Sequence, residues 1–77
     1  MTSDSELTML IGENIARHRK NQGIAQKDFA DVVGIHRVQM NRIQKGVNSP
    51  SAAVLFKIAD ALGVSGDALR QINPKIS

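Results

Sequence analysis

The 77-residue chain has no cysteine, no tryptophan and no tyrosine, and only two phenylalanines and two prolines. Without cysteine there is neither a disulfide framework nor a thiolate metal site, so the fold must stand in reducing and oxidising surroundings alike. With two aromatic rings at most, any core is built from aliphatic side chains. No apolar run approaches the ~20 residues of a membrane-spanning helix. The first ten residues, MTSDSELTML, are acidic and put no basic region ahead of an apolar one, unlike a secretory signal. Strand-like alternation, internal repeats and low-complexity segments are missing too. So are the marks of catalysis. Ser, His and Asp occur in no nucleophile setting. The six glycines stand singly and read as helix-end residues, with Gly63 and Gly66 flanking one turn, not as a phosphate-binding loop. His18 and His36 share no helix face and make a poor metal site. The expectation is a cytoplasmic protein that is no enzyme, with no cofactor, no metal and no evident small-molecule effector.

What is present suits one small domain. The chain is 42% hydrophobic, enough for a modest core that is marginal at this size. Dimerisation would help to stabilise it. The net charge is only +3, but it is unevenly spread. Residues 1–16 carry Asp4, Glu6 and Glu13 and no base. Residues 17–45 carry Arg17, Arg19, Lys20, Lys27, Arg37, Arg42 and Lys45 against Asp28 and Asp31. A charge run is most often a solvated face. This one gains weight from the motif it coincides with.

That motif is QKDFADVVGIHRVQMNRI, Gln26 to Ile43. A short helix from about Gln26 to Val33 meets Gly34, and a second apolar phase starts at Ile35. Ala30 is small where two helices would cross. Phe29, Val33, Ile35, Met40 and Ile43 face inward, which leaves Arg37, Val38, Asn41, Arg42 and Lys45 outside. A helix held in this way presents its outer face to a DNA major groove.

Around it the periodicity predicts an all-α domain of five helices. Residues 1–6 read as a flexible or frayed segment, 7–72 as the domain and 73–77 as a tail. The first helix spans about Ser5 to Gln22, capped by Ser3 with Glu6 or by Ser5, with Leu7, Ile11, Ile15 and His18 on its apolar stripe. Gly23 ends it and Ile24 turns back to the core. Ala25 is a poor cap for the second helix, a deficit of about 1 kcal/mol. The third helix runs over 36–45 and stops at Gly46. Val47 to Ser51 form a loop. The fourth helix, capped by Ser51, presents Val54, Leu55, Ile58, Ala59 and Leu62 and ends at Gly63, with Val64 inward. A short fifth runs from Ser65 to about Ile72 with Ala68, Leu69 and Ile72. Asn73-Pro74 stops it.

The ordered set Ile11-Gly12, Ile15, Arg19, Gly23-Ile24, Gln26, Phe29-Ala30, Gly34-Ile35, Ile43, Gly46, Pro50-Ser51, Leu55, Ile58-Ala59 and Ala61 to Val64 resembles the lambda-repressor and Cro-like, or Xre-type, helix-turn-helix family. The match covers about residues 7–70. The resemblance implies a compact five-helix domain that binds a double-stranded DNA operator, usually as a two-fold homodimer. It makes the third helix the recognition helix. Arg37, Val38 and Arg42 then fall at positions that meet base edges, and Gln26 at one that contacts phosphate and braces that helix.

Side-chain chemistry is consistent with those roles. The arginine fork suits guanine O6 and N7, although Arg37 and Arg42 are also ordinary solvated residues in a bland reading. Val38 offers a thymine methyl an apolar contact or is half-buried core. Asn41 reads adenine or binds phosphate. Gln26 sets its amide and a helix N-terminus near a phosphate. Lys27, Gln39 and Lys45 extend the footprint, and Asn48 and Ser49 add backbone amides. His36 is a cap or a phosphate contact. Leu69 and Ile72 close the core or form the dimer surface, and a shared role is favoured.

Three departures stand out. The family often has a carboxylate at position 44, paired with the arginine of the first helix; here it is Gln44. Arg19 is therefore expected either on the Gln44 amide oxygen or on a phosphate. Val47 stands where a basic residue is frequent, so one phosphate contact is lost. The His36-Arg37 pair is similar to the start of the recognition helix in restriction–modification controller proteins. The expected function is a sequence-specific transcriptional regulator, a repressor in the first instance. The alternatives are a controller that activates and represses, or an antitoxin-like protein-interaction module.

Overall fold

Helix α1, Asp4–Asn21, begins where the Ser3 hydroxyl accepts the Glu6 N–H at 3.2 Å. Of the two candidate caps it is Ser3 that acts, and residues 4–6 form the first helical turn. In this computed structural model, which describes residues 3–72, α2 follows at Gln26–Val33, α3 at Arg37–Gln44 and α4 at Ala52–Leu62. Ser51 caps α4 by accepting the Val54 N–H. Ala25 caps nothing with its side chain. Among the described residues there is no strand, so the architecture is all-α.

The helices share one way of stopping. Each of the four is followed by a glycine at positive φ and then an apolar residue: Gly23-Ile24, Gly34-Ile35, Gly46-Val47 and Gly63-Val64. For α1, α3 and α4 the apolar residue's N–H reaches back to the carbonyl of Arg19, Arg42 or Ala59, which closes the helix end by the Schellman pattern. Ile24, Ile35 and Val64 pack against the core, while Val47 stays 68% exposed.

The fifth element corrects the expectation. It is a single 3-10 turn, Asp67–Arg70, and not a helix from Ser65 to Ile72. Its N–H groups reach back three residues, Ala68 to Ser65 and Leu69 to Gly66. The Nδ2 group of Asn14, wholly buried in α1, donates to the carbonyls of Leu69 at 2.6 Å and Gln71 at 2.8 Å. Those acceptors are thereby taken, and Gln71 turns extended. The tail, with Pro74 and Ile76, lies outside the described residues.

The core joins Ile11 and Ile15 of α1, Phe29, Ala30 and Val33 of α2, Met40 and Ile43 of α3, Ile58, Ala59 and Leu62 of α4, and Leu69. Leu7 lies outside this core, at the rim of a groove shared with Leu55 and Phe56. Gly12 is no helix-end residue. It sits mid-α1, where a Cβ would run into the backbone oxygens of Ile43 and Gln44. At that crossing α1 touches the end of α3 backbone to backbone.

Gly12→Ala should therefore destabilise by about 3 kcal/mol, the upper end for overpacking, because the obstacle is main chain and cannot rotate away. An unchanged denaturation midpoint would rule out this crossing. Ala25→Ser should add about 1 kcal/mol by capping α2. A midpoint that does not rise would mean the first amides of α2 already have partners.

Candidate nucleic-acid interface

The centre of the molecule is a close helix pair. Ala30 is 1% exposed and leaves room for α3 to approach α2, while Phe29, Val33, Met40 and Ile43 close the seam. Between the helices the chain must reverse in three residues. Gly34 does this at φ 83° and ψ 29°, a left-handed conformation that only glycine enters without steric cost. The N–H groups of Gly34 and Ile35 both donate to the Ala30 carbonyl, at 2.8 and 3.1 Å. His36 then opens α3, its Nδ1 accepting the Val38 N–H at 3.2 Å. Of its two expected roles, His36 holds the cap.

With Met40, Ile43 and Gln44 turned inward, helical geometry leaves Arg37, Val38, Gln39, Asn41, Arg42 and Lys45 on the surface. Val38 is 52% exposed and takes no part in the core. Among the described residues the one ion pair is Arg70–Asp67, so Arg37, Arg42, Lys45 and Lys27 have no carboxylate partner there. Lys27, Asp31, Ile35, His36 and Arg37 line one shallow depression, which joins the start of α2 to the start of α3. Asn48 and Ser49 are exposed beyond α3. The Asn48 amide is less available than expected, because its N–H points back to the Arg42 carbonyl at 3.4 Å.

Behind this face runs a chain of polar side chains. Arg19 of α1 donates from Nε to Gln44 Oε1 at 3.1 Å and from Nη1 to the Ile24 carbonyl at 2.8 Å. Gln44 donates in turn from Nε2 to Gln26 Oε1 at 2.6 Å. Of the two fates considered for Arg19, the structure shows the bond to Gln44. Gln26 is half-buried at the head of α2 and held from behind.

The two apolar candidates for a partner surface separate. Leu69 is 0% exposed inside the core, so its shared role is corrected to core closure alone. Ile72 is 74% exposed. The close contact at Gly12, which the sequence showed only as a motif residue, and the buried tie made by Asn14 were not foreseen. Gly12 was detectable as a glycine inside a helical pattern. Asn14 was detectable as an amide one turn from Ile11 on the apolar stripe.

Two packed helices joined by a glycine turn, the second with an outward basic face, define a helix-turn-helix protein. The helix-turn-helix family HTH_3 matches residues 15–69. The chain is 38% identical over 58 residues to the uncharacterized HTH-type transcriptional regulator YazB of Bacillus subtilis, covering 75% of this chain and 84% of that one. It is 38% identical over 61 residues to the cryptic phage CTXphi transcriptional repressor RstR of Vibrio cholerae, covering 79% and 54%. Its fold is that of the restriction-modification controller protein C.AhdI from Aeromonas hydrophila, with a TM-score of 0.77 at 22% identity, over 80% of this chain and 94% of that one. The chain belongs to the lambda-repressor-like (Xre-type) helix-turn-helix family of DNA-binding transcriptional regulators.

Proposed function

We propose that this regulator is a repressor that binds a two-fold operator as a homodimer, with α3 in the major groove and half-sites about one helical turn apart. The observation that carries the reading is the face of α3. Arg37 and Arg42 stand exposed five residues apart on α3, beside Lys45 and without carboxylate partners among the described residues. An arginine left unpaired at the surface is free to put its fork on guanine, or to neutralise a phosphate with release of counterions. Val38, between the two arginines on the outer face, suits a thymine methyl. Asn41 and Gln39 supply amide groups for adenine or phosphate. Gln26 and Lys27 contact the backbone from the head of α2, and Asn48 and Ser49 do so from the loop after α3. The repressor reading is supported by the likeness to RstR, over somewhat more than half of that protein's length. Ile72 is the remaining candidate for the contact between copies.

The His36-Arg37 start of α3 favours a second reading, a controller that activates as well as represses. A methyltransferase–endonuclease gene pair beside this gene would select it.

Selection of bound sites from a random DNA pool tests the main proposal. A palindromic winner, bound with a steep salt dependence, is the expected result. Binding without sequence preference would overturn it. On the selected site, Arg37→Ala should cost about 1–3 kcal/mol and relax preference at one base pair. An equal loss on every sequence would move Arg37 to the backbone. Lys27→Ala should lower the salt slope by about one, and an unchanged slope would take Lys27 out of the footprint.

A further inference from the structure

We infer that the apolar groove between the first half of α1 and the junction of α4 with the 3-10 turn is where two copies of this chain join, each presenting the ring of Phe56 to the other. The inference rests on the reading of this regulator as a homodimer and names the contact surface.

The chain has two aromatic residues, and the fold treats them differently. Phe29 is sealed in the core, whereas Phe56 on α4 is 59% exposed. The Phe56 ring lies against Gly66, where a Cβ would stand 3.1 Å from its Cε1. The bare backbone at Gly66 therefore seats the ring while the rest of it faces water. Beside it opens a groove lined by Leu7 and Ile11 of α1, Leu55 of α4, and Asp67 and Arg70 of the 3-10 turn. Leu7 is exposed at the rim. A seated aromatic ring beside aliphatic side chains, with polar groups around them, is the composition of an interface centre. Covering it removes apolar surface from water, which favours any partner of matching shape and charge.

The charges select the partner. Asp67 and Arg70 are the charged residues lining the groove, and they pair with each other at 3.1 Å while both stay exposed. One acid beside one base offers no net charge to nucleic acid, or to a strongly acidic or basic protein. It does complement itself. A two-fold rotation brings Asp67 of one copy to the partner's Arg70, and Arg70 to the partner's Asp67. An exposed intrachain pair contributes little by itself, so exchanging its partners across an interface costs little. Ile72, exposed and two residues beyond Arg70, continues the same stretch of chain. Among the described residues none of α2 or α3 lines the groove, so joining there leaves both recognition helices uncovered.

Sedimentation equilibrium on the full chain, without DNA, tests the inference. The wild type should show a monomer–dimer equilibrium. Phe56→Ala should raise the dimer Kd at least about tenfold, because each copy loses a ring and the loss counts twice. Asp67→Arg and Arg70→Asp should each raise it about tenfold, because like charges then meet twice in each dimer. An equimolar mixture of those two variants should associate like the wild type, since one chain then carries two bases and the other two acids. Neither chain can form the pair within itself, so the recovery comes only from contact between copies. It also shows that both variants are folded. A mixture that associates no better than the single variants would overturn the charge match and the inference with it. Unchanged association of Phe56→Ala, with the wild type dimeric, would overturn the inference but leave the homodimer standing. A wild type that stays monomeric, and fills the selected operator without cooperativity, would remove the homodimer itself and this surface with it.

Discussion

The structure depends on the bare backbone of α1 at Gly12. The end of α3 lies so close that the carbonyl oxygens of Ile43 and Gln44 occupy the space of a side chain. This contact fixes the far end of the recognition helix, just as the Gly34 turn and the His36 cap fix its near end. An eight-residue helix is too short to be stable alone, so it holds its direction only because both ends are held. Once α3 is docked on Gly12, Ile15 falls one turn further along the same face of α1 and enters the core. Arg19 falls two turns further and reaches Gln44.

Polar groups then finish what apolar packing begins. The core is small, and among the described residues two polar side chains are buried, Asn14 and Gln44. Each joins separate elements. Asn14 ties α1 to the 3-10 turn through two carbonyls and also accepts from Arg17. Gln44 ties α1, α3 and α2 through Arg19 and Gln26. Gln22 adds a third tie, donating to the Leu62 carbonyl at the end of α4. Among the described residues no buried side-chain nitrogen or oxygen lacks a partner. This satisfaction matters more than the number of bonds, since an unpaired buried polar group costs more than a bond contributes. The arrangement also places Arg19 on neutral acceptors, where it remains partly exposed to water, so no buried ion pair has to be desolvated.

Helices α1 to α4 were legible because their signals are local. Apolar residues recur at helical spacing, Ser3 and Ser51 sit where hydroxyl caps belong, and a glycine followed by an apolar residue marks each end. The outward set Arg37, Val38, Asn41, Arg42 and Lys45 was legible for the same reason, since the inward positions of a helix determine the outward ones. The last element was not. Ala68, Leu69 and Ile72 have helical spacing, but the side chain of Asn14, more than fifty residues earlier, holds the Leu69 and Gln71 carbonyls, and the backbone at Gln71 is extended. For the same reason Leu69 turned out to be core and Ile72 surface, although both are aliphatic residues on one short segment.

The sequence alone determined helices α1 to α4, their ends to about one residue, and which residues of α3 face outward. Periodicity, capping and turn chemistry act over a few residues and can be read along the chain. Tertiary structure alone decided that Gly12 is a contact point and not a helix end. It also decided that Arg19 takes the Gln44 amide, that Gln26 is braced from behind, and that the chain closes in a 3-10 turn over Asn14. Each of these depends on groups far apart in sequence brought within bonding distance, and such distances exist only once the helices have packed.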